Sequence, residues 1–214
     1  MKKIKNAYIK IKKQCLCFCQ RRKLKYKDFS IISNNCWGGL IYQKFGLRYS
    51  SPTIGLFILD EDYLKFVERL DYYLSLPLNF IDPRNSKNYN LLYKERNQEI
   101  TYPVARLGDI EVFFMHYNSE KEAERKWKYR ISRINHNRLL VKFSQRDSES
   151  KEILKRFEDI PLNNKICFTP LAYKSQKCNF VQVEALKKLN IQGGDETPYT
   201  LDAVDICDVI NKMR

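Results

Sequence analysis

The sequence predicts an α/β protein. Three observations carry that expectation: short apolar runs of strand length bounded by turn residues, intervening segments whose apolar residues recur at helical spacing, and a Gly-Asp pair set between two further strand-like runs. Strands alternating with helices imply a mostly parallel sheet covered by helices, and an antiparallel hairpin at the Gly-Asp pair makes the expected sheet mixed.

Phe29-Ser30-Ile31-Ile32-Ser33 reads as the first strand, bounded by Asn34 and Asn35. A helix follows to about Phe45, where Gly46 stops it. Gly55 to Leu59 reads as a second strand. Asp60 then caps a helix on which Tyr63, Leu64, Phe66, Val67, Leu70, Tyr73 and Leu74 recur at helical spacing, and Pro77 ends it. Residues 82–99 open on Asp82-Pro83-Arg84-Asn85 and stay polar and turn-rich, which predicts a long surface loop or insertion. Tyr102 to Leu107 and Ile110 to His116 flank Gly108-Asp109, a dipeptide suited to a tight hairpin. Ser119-x-x-Glu122 is a capping box that opens a helix carrying Ala123, Trp127 and Ile131 and ending near Asn135. Leu139 to Phe143, Lys165 to Thr169 and Asn179 to Val183 read as further strands, with Ile153 to Phe157 helical and a last helix over about Leu201 to Met213.

At 214 residues the chain makes one compact domain by default, or two small subdomains sharing an interface. Its 43% apolar content, with 12 Phe and 14 Tyr, excludes global disorder. The net charge of +14 is unevenly placed. Residues 1–27 hold eleven Lys and Arg and no acid, leaving 28 of the 39 bases against all 25 acids in residues 28–214. The positive excess is therefore a basic arm on a nearly neutral α/β domain of residues 28–214, which argues against a nucleic-acid partner gripped across the folded surface. Within the arm Ile4, Tyr8, Ile11, Cys15 and Phe18 fall on one helical stripe among lysines. Such an amphipathic helix suits an anionic membrane surface, while a solvated extension explains the same residues.

The seven cysteines are odd in number and without paired spacing, which fits a reducing compartment. Cys15-x-Cys17-x-Cys19 places its thiols on different helical faces and has no His or second pair nearby, so no metal is expected there. With neither an export leader nor 18 consecutive apolar residues, the expectation is a cytoplasmic protein, with peripheral attachment to the inner face of the cell membrane through its arm as the open alternative.

The turn Ser33-Asn34-Asn35-Cys36-Trp37-Gly38-Gly39 is the leading candidate site. A strand running straight into a helix puts Cys36 near a helix N-terminus, where free N–H groups favour a thiolate nucleophile. Gly38 and Gly39 permit close backbone approach, and Asn34 or Asn35 can donate to a developing oxyanion. A packing role explains the same residues: Cys36 as a small hydrophobe, Trp37 in the core and the glycines seating the helix on the sheet. Of the two histidines, His116 falls at a strand end and is the better general base, with Asp109 or Asp147 as an orienting third group. Trp127 and Arg130 are further substrate-binding candidates, the latter within a basic set of Arg125, Lys126, Arg130 and Arg133 that could take an anion. Asp60-Glu61-Asp62 offers an alternative, a cation and nucleotide-sugar site, or simply the acidic first turn of a helix.

The run Phe29 to Gly39 resembles an uncharacterised bacterial family met in exopolysaccharide and capsule biosynthesis loci. Further matching runs are Ser51-Pro52-Thr53-Ile54-Gly55-Leu56-Phe57, Asp71-Tyr72-Tyr73-Leu74, Tyr102-Pro103-Val104, Leu107-Gly108-Asp109-Ile110-Glu111, His116-Tyr117, Ala123 with Trp127, and Asn164-Lys165-Ile166-Cys167-Phe168-Thr169, which together cover about residues 28–170. After Phe143 the family tends towards Asp-Arg-Asp, whereas here Gln145-Arg146-Asp147 keeps the last two. The resemblance implies a three-layer α/β/α architecture and a part in surface-polysaccharide production. The expected activity is that of a transferase, an acyltransferase foremost, acting on a saccharide or lipid-linked saccharide. It would need no resident cofactor and would take an acyl donor such as acetyl-CoA as substrate. A nucleotide-sugar-dependent glycosyltransferase and a non-catalytic, membrane-docked scaffold are the alternatives.

Overall fold

A computed structural model describes residues 17–192 and 194–213. The chain forms the expected α/β fold, with its strands divided between two sheets. Four parallel strands, β1 (Ser30–Ser33), β5 (Leu139–Ser144), β6 (Lys165–Thr169) and β7 (Asn179–Gln182), make the main sheet in the order β1-β5-β6-β7. A three-stranded antiparallel sheet holds β2 (Asn79–Ile81), β3 (Val104–Leu107) and β4 (Ile110–Phe113). The Gly108-Asp109 hairpin is present, with Leu107 opposite Ile110 and Gly108 at φ +63°.

Alternate residues of the parallel strands feed two separate cores, so the main sheet is the middle of three layers. Ile31, Leu140, Ile166 and Phe168 face α1 (Trp37–Phe45) and α8 (Ile206–Asn211). Ile32, Val141, Phe143 and Cys167 face α2 (Asp60–Glu68) and α6 (Lys151–Asp159). The antiparallel sheet packs Ala105, Leu107, Ile110 and Val112 into that second core, beside Ala123 and Trp127 of α5 (Glu120–Ile131).

Several boundaries differ from the sequence reading. The helix expected from Asp60 to Leu74 is broken at Arg69, whose φ of −132° leaves α3 (Leu70–Ser75) as a separate turn and a half. The final helix is likewise two, α7 (Thr197–Ala203) and α8, because Val204 is extended and the Asp205 side chain caps Cys207 N–H at 2.8 Å. Residues 82–99 are not a long loop. They contain α4 (Tyr89–Arg96), which buries Leu92, and their start is fixed by Ser86 Oγ donating to buried Glu111 at 2.6 Å. Polarity misled because that segment buries a single apolar side chain and otherwise anchors through hydrogen bonds.

Gly55 to Leu59 pairs only at Phe57, which exchanges two backbone hydrogen bonds with Phe113 at 2.9 and 3.0 Å. One residue on, Ile58 N–H donates to Asn34 O at 2.9 Å. This short segment is therefore a seam between β4 of one sheet and the end of β1 of the other. Residues 17–27 also belong to the packed body: Leu24 is buried, and Asn211 accepts from Lys25 N–H at 2.7 Å and donates to Lys23 O at 2.9 Å. The rest of the basic arm, with most of its apolar stripe, lies outside the described residues; Phe18, at its end, is exposed. Among the described residues no helix is long and apolar enough to cross a membrane.

The seat of α1 on β1 fixes the turn between them. Gly46 closes the helix at φ +60°, with Leu47 N–H donating back to Tyr42 O at 2.9 Å. At the other end there is no room for a methyl group at position 38, where a Cβ would stand 2.8 Å from Ser33 Oγ and 3.2 Å from Ile31 Cγ2. Gly38→Ala is expected to destabilise the protein by about 1–3 kcal/mol, the usual cost of overpacking, in urea titration; a change within about 0.5 kcal/mol would show that the helix is free to shift.

Candidate active site

Two adjoining chambers open beside the seam, at the carboxyl ends of β1 and β5. The first, of about 250 Å³, is walled by Asn35, Cys36, His116, Arg146 and the segment around Glu196. The second, of about 320 Å³, is walled by Cys36, Tyr49, His116, Tyr117, Lys126 and Arg130. Cys36, Leu40 and His116 line both and form the partition. A larger recess of about 680 Å³ lies along α6, and four of its charged side chains pair with one another: Arg156 binds Glu68 at 2.5 Å, and Lys155 binds Asp159 at 3.2 Å.

The first chamber rests on a buried charge network. Lys142, in the centre of β5, is fully buried and bonds Asn35 Oδ1 at 3.0 Å and the Glu196 carboxylate. Ser144 Oγ donates to the same carboxylate at 2.8 Å and Arg146 Nη1 at 3.0 Å, while Arg146 also donates to Asn190 O. Burial by itself would raise the Glu196 carboxyl, but Lys142 and Arg146 hold it below the ordinary glutamate value. Burial lowers the Lys142 ammonium against the pull of Glu196. Three buried atoms on the chamber's lining residues have no hydrogen-bond partner: Asn35 Nδ2, Arg146 Nε and Thr197 Oγ1. Buried polar atoms are rarely left so, and these three leave unmet hydrogen-bonding capacity at the wall of one cavity.

Cys36 occupies the N-cap of α1, yet the helix end does not make its thiol acidic. Trp37 N–H is taken by Asn35 Oδ1 at 3.1 Å and Gly38 N–H by Ser33 Oγ at 3.3 Å. The Cys36 Sγ lies 3.9 Å from Leu56 O, and burial, with Lys142 opposing it, pushes the thiol up to about 11. At neutral pH Cys36 is a neutral thiol. His116 is exposed at the partition, its place set by its own N–H donating to Gly55 O at 3.0 Å.

The other residues singled out from the sequence are dispersed. Asn34 is a clasp: its buried side chain donates to Ser144 O at 2.7 Å and accepts from Ser144 N–H at 3.0 Å, adding one rung beyond the β1–β5 ladder, and it lines neither chamber. Trp37 belongs to the core, its Nε1 donating to Thr200 Oγ1 at 2.8 Å, and also touches the first chamber. Gly38 and Gly39 seat α1 against Ile31 and Ile54. Trp127 packs on Phe66 and Phe114 in the core, away from both chambers. Arg130 does line the second chamber. Asp109 sits on the hairpin turn, bound by Tyr73 Oη at 2.7 Å and Lys65 Nζ at 2.9 Å, and those two partners lower its carboxyl to about 2; it does not orient His116. Asp147 faces Asp60 instead. The three acids at 60–62 have separate internal partners, Asp62 taking Lys87 Nζ at 2.7 Å and Glu61 pairing with Arg156.

Asp60 and Asp147 form a buried carboxyl pair. Asp60 N–H donates to Asp147 Oδ1 at 2.9 Å, and the N–H groups of Arg146 and Asp147 donate to Asp60 Oδ2 at 3.0 and 3.2 Å. Desolvation raises both carboxyls, and the negative charge of Asp147 raises Asp60 further, so each holds a proton more tightly than a free acid does. This pair fixes the backbone that presents Arg146 to the first chamber.

Sequence reasoning found the partition, Asn35 and Arg130, but not Lys142, Glu196, Thr197 or a site role for Arg146. The available signal was Lys142 itself, a charge inside the apolar run Leu139-Leu140-Val141-Lys142-Phe143. Its partner 54 positions away has no local signature.

The family described as a domain of unknown function, DUF1919, matches residues 7–205, and the chain belongs to that family. It is also 32% identical over 193 residues to an uncharacterized protein of Haemophilus influenzae, a match spanning 90% of this chain and 85% of that protein.

Two outcomes are expected. Residue-resolved mass spectrometry after brief iodoacetamide treatment at pH 7 is expected to find exposed Cys19 labelled at least about tenfold faster than Cys36; equal rates would mean a stabilised thiolate. Because Asp60 and Asp147 bind protons more tightly folded than unfolded, the pair adds stability at acid pH and loses it as pH rises above about 4 through the raised folded values. Asp147→Asn keeps an acceptor for Asp60 N–H and removes one charge, so its stability is expected to fall less steeply than wild type between pH 4 and 7; parallel pH curves from urea titrations would show that the pair is not the source.

Proposed function

We propose that this DUF1919 protein is a transferase of surface-polysaccharide production that moves an acyl group from a thioester donor, such as acetyl-CoA, to a saccharide hydroxyl. The observation that carries the reading is the shared partition. A group transfer needs two substrates side by side with the reacting groups between them, and Cys36 and His116 stand between two chambers of different chemistry. The likeness of the Phe29 to Gly39 run to proteins of exopolysaccharide and capsule loci supports the choice of a saccharide.

In this reading the donor carbonyl enters the first chamber and the acceptor lies in the second. His116 takes the proton from the acceptor hydroxyl as its oxygen attacks the carbonyl carbon. The tetrahedral oxyanion receives hydrogen bonds from Asn35 Nδ2 and Arg146 Nε, the donors left unpartnered there. Collapse breaks the carbon–sulfur bond, and the departing thiolate takes the proton back from the His116 imidazolium. Cys36, neutral at this pH, shapes the partition and positions the acceptor without forming an acyl-enzyme.

Transfer of radiolabelled acetyl from acetyl-CoA to capsule oligosaccharides is the test. His116→Ala, at an exposed side chain, is expected to lose about 10²–10⁴-fold in rate, whereas Cys36→Ser stays within about tenfold of wild type. No transfer across a panel of thioesters and saccharides, or full activity without His116, would overturn the assignment; loss with Cys36→Ser as deep as with His116→Ala would replace direct transfer by a covalent route.

A further inference from the structure

We propose that the second chamber binds an anionic saccharide, its acidic group held by Arg130; this rests on the reading of that chamber as the acceptor site. Arg130 rises from α5 with only 8% of its surface exposed, and among the described residues its guanidinium has no carboxylate partner. Among the described residues its hydrogen bonds all come from Nη1, to Tyr117 Oη at 2.5 Å and Ile54 O at 3.2 Å, with none from Nε or Nη2. The guanidinium carbon stands over the rings of Tyr49 and Tyr117, 5.1 and 6.0 Å from their centres. A nearly buried cation held only by neutral groups carries an uncompensated desolvation cost, which an incoming anion removes.

The rest of the wall agrees. Among the described residues the second chamber is lined by two cations, Lys126 and Arg130, by His116, and by no Asp or Glu, whereas the first chamber includes Asp195 and Glu196. Lys126 is neutralised by Glu122 at 2.6 Å, so the unbalanced charge is that of Arg130. Residues 1–16 contain no acidic side chain that could supply the missing partner. A guanidinium edge offers two parallel N–H groups, the match for a group with two acceptor oxygens, and the flanking Tyr49 and Tyr117 rings suit the apolar face of a sugar. The shared ligand chemistry is thus an oxyanion on a saccharide, either the carboxylate of a uronic acid or a phosphate ester.

Calorimetric titration of the full-length protein with glucuronic acid, glucose 6-phosphate and glucose tests this without requiring turnover. At least one acidic sugar is expected to bind about tenfold or more tighter than glucose, and the two acidic arms tell carboxylate from phosphate. Arg130→Lys keeps the charge and loses the planar fork, and is expected to reduce the preference about tenfold with a cooperative melt retained. Should that variant fail to fold, raising the salt concentration with wild-type protein reads the same contact, weakening acidic binding and leaving glucose unchanged. Equal affinity for acidic and neutral sugars, no binding of either acid, or an acidic preference untouched by both Arg130→Lys and salt would overturn the proposal. Acidic binding without acyl transfer would retain the anion site and discard the transferase; transfer to neutral sugars alone would do the reverse.

Discussion

A lysine ammonium in the middle of a buried parallel strand must be neutralised, and the way this chain neutralises Lys142 shapes its functional end. The strand cannot supply a counter-ion, because its neighbours in both layers are apolar. Glu196 therefore comes from beyond the last strand, bringing with it the segment that roofs the first chamber, and Arg146 and Ser144 complete the carboxylate's hydrogen bonds. An isolated ion in this position would cost several kcal/mol, so the roof and the strand hold each other in place. Asn35 is recruited into the same network through its carbonyl oxygen, which leaves its buried amide nitrogen without a partner among the described residues.

The seam at residues 55–59 does the complementary work. Phe57 pairs with one sheet, Ile58 binds the end of the other, and Gly55 receives the His116 N–H. Through these few backbone bonds the antiparallel sheet delivers a histidine to the carboxyl edge of a parallel sheet to which it does not otherwise belong. The partition is thus assembled from both sheets, Cys36 from the turn after β1 and His116 from the turn after β4, with neither located by the other's local sequence.

Local pattern carried much of the fold. Strands at Ser30–Ser33 and Lys165–Thr169, the Gly108-Asp109 turn and the Ser119 capping box follow from apolar runs, turn chemistry and side-chain capping that act within a few residues. Breaks at Arg69 and Val204 and the helix around Leu92 were not legible, since they depend on tertiary contacts that override propensity. At the site, the strand-to-helix turn was recognisable from its residues but its chemistry was not. A helix N-terminus promises an acidic thiol only while its N–H groups are free, and here Asn35 and Ser33 take them. Whether Asn34 or Asn35 faces the chamber depends on Ser144, 110 positions from Asn34, which no spacing rule reaches.

The dependence of the first chamber on Glu196 also fixes the order in which its parts become available during synthesis. Every strand of both sheets lies upstream of residue 183, so a chain emerging from the ribosome has all its strands before it has the counter-ion of Lys142. Until residues 190–197 follow, that lysine lacks its salt bridge and the first chamber lacks its roof. A nascent or truncated chain ending short of Glu196 thus has Cys36 and His116 but not the wall that encloses the first chamber beside them.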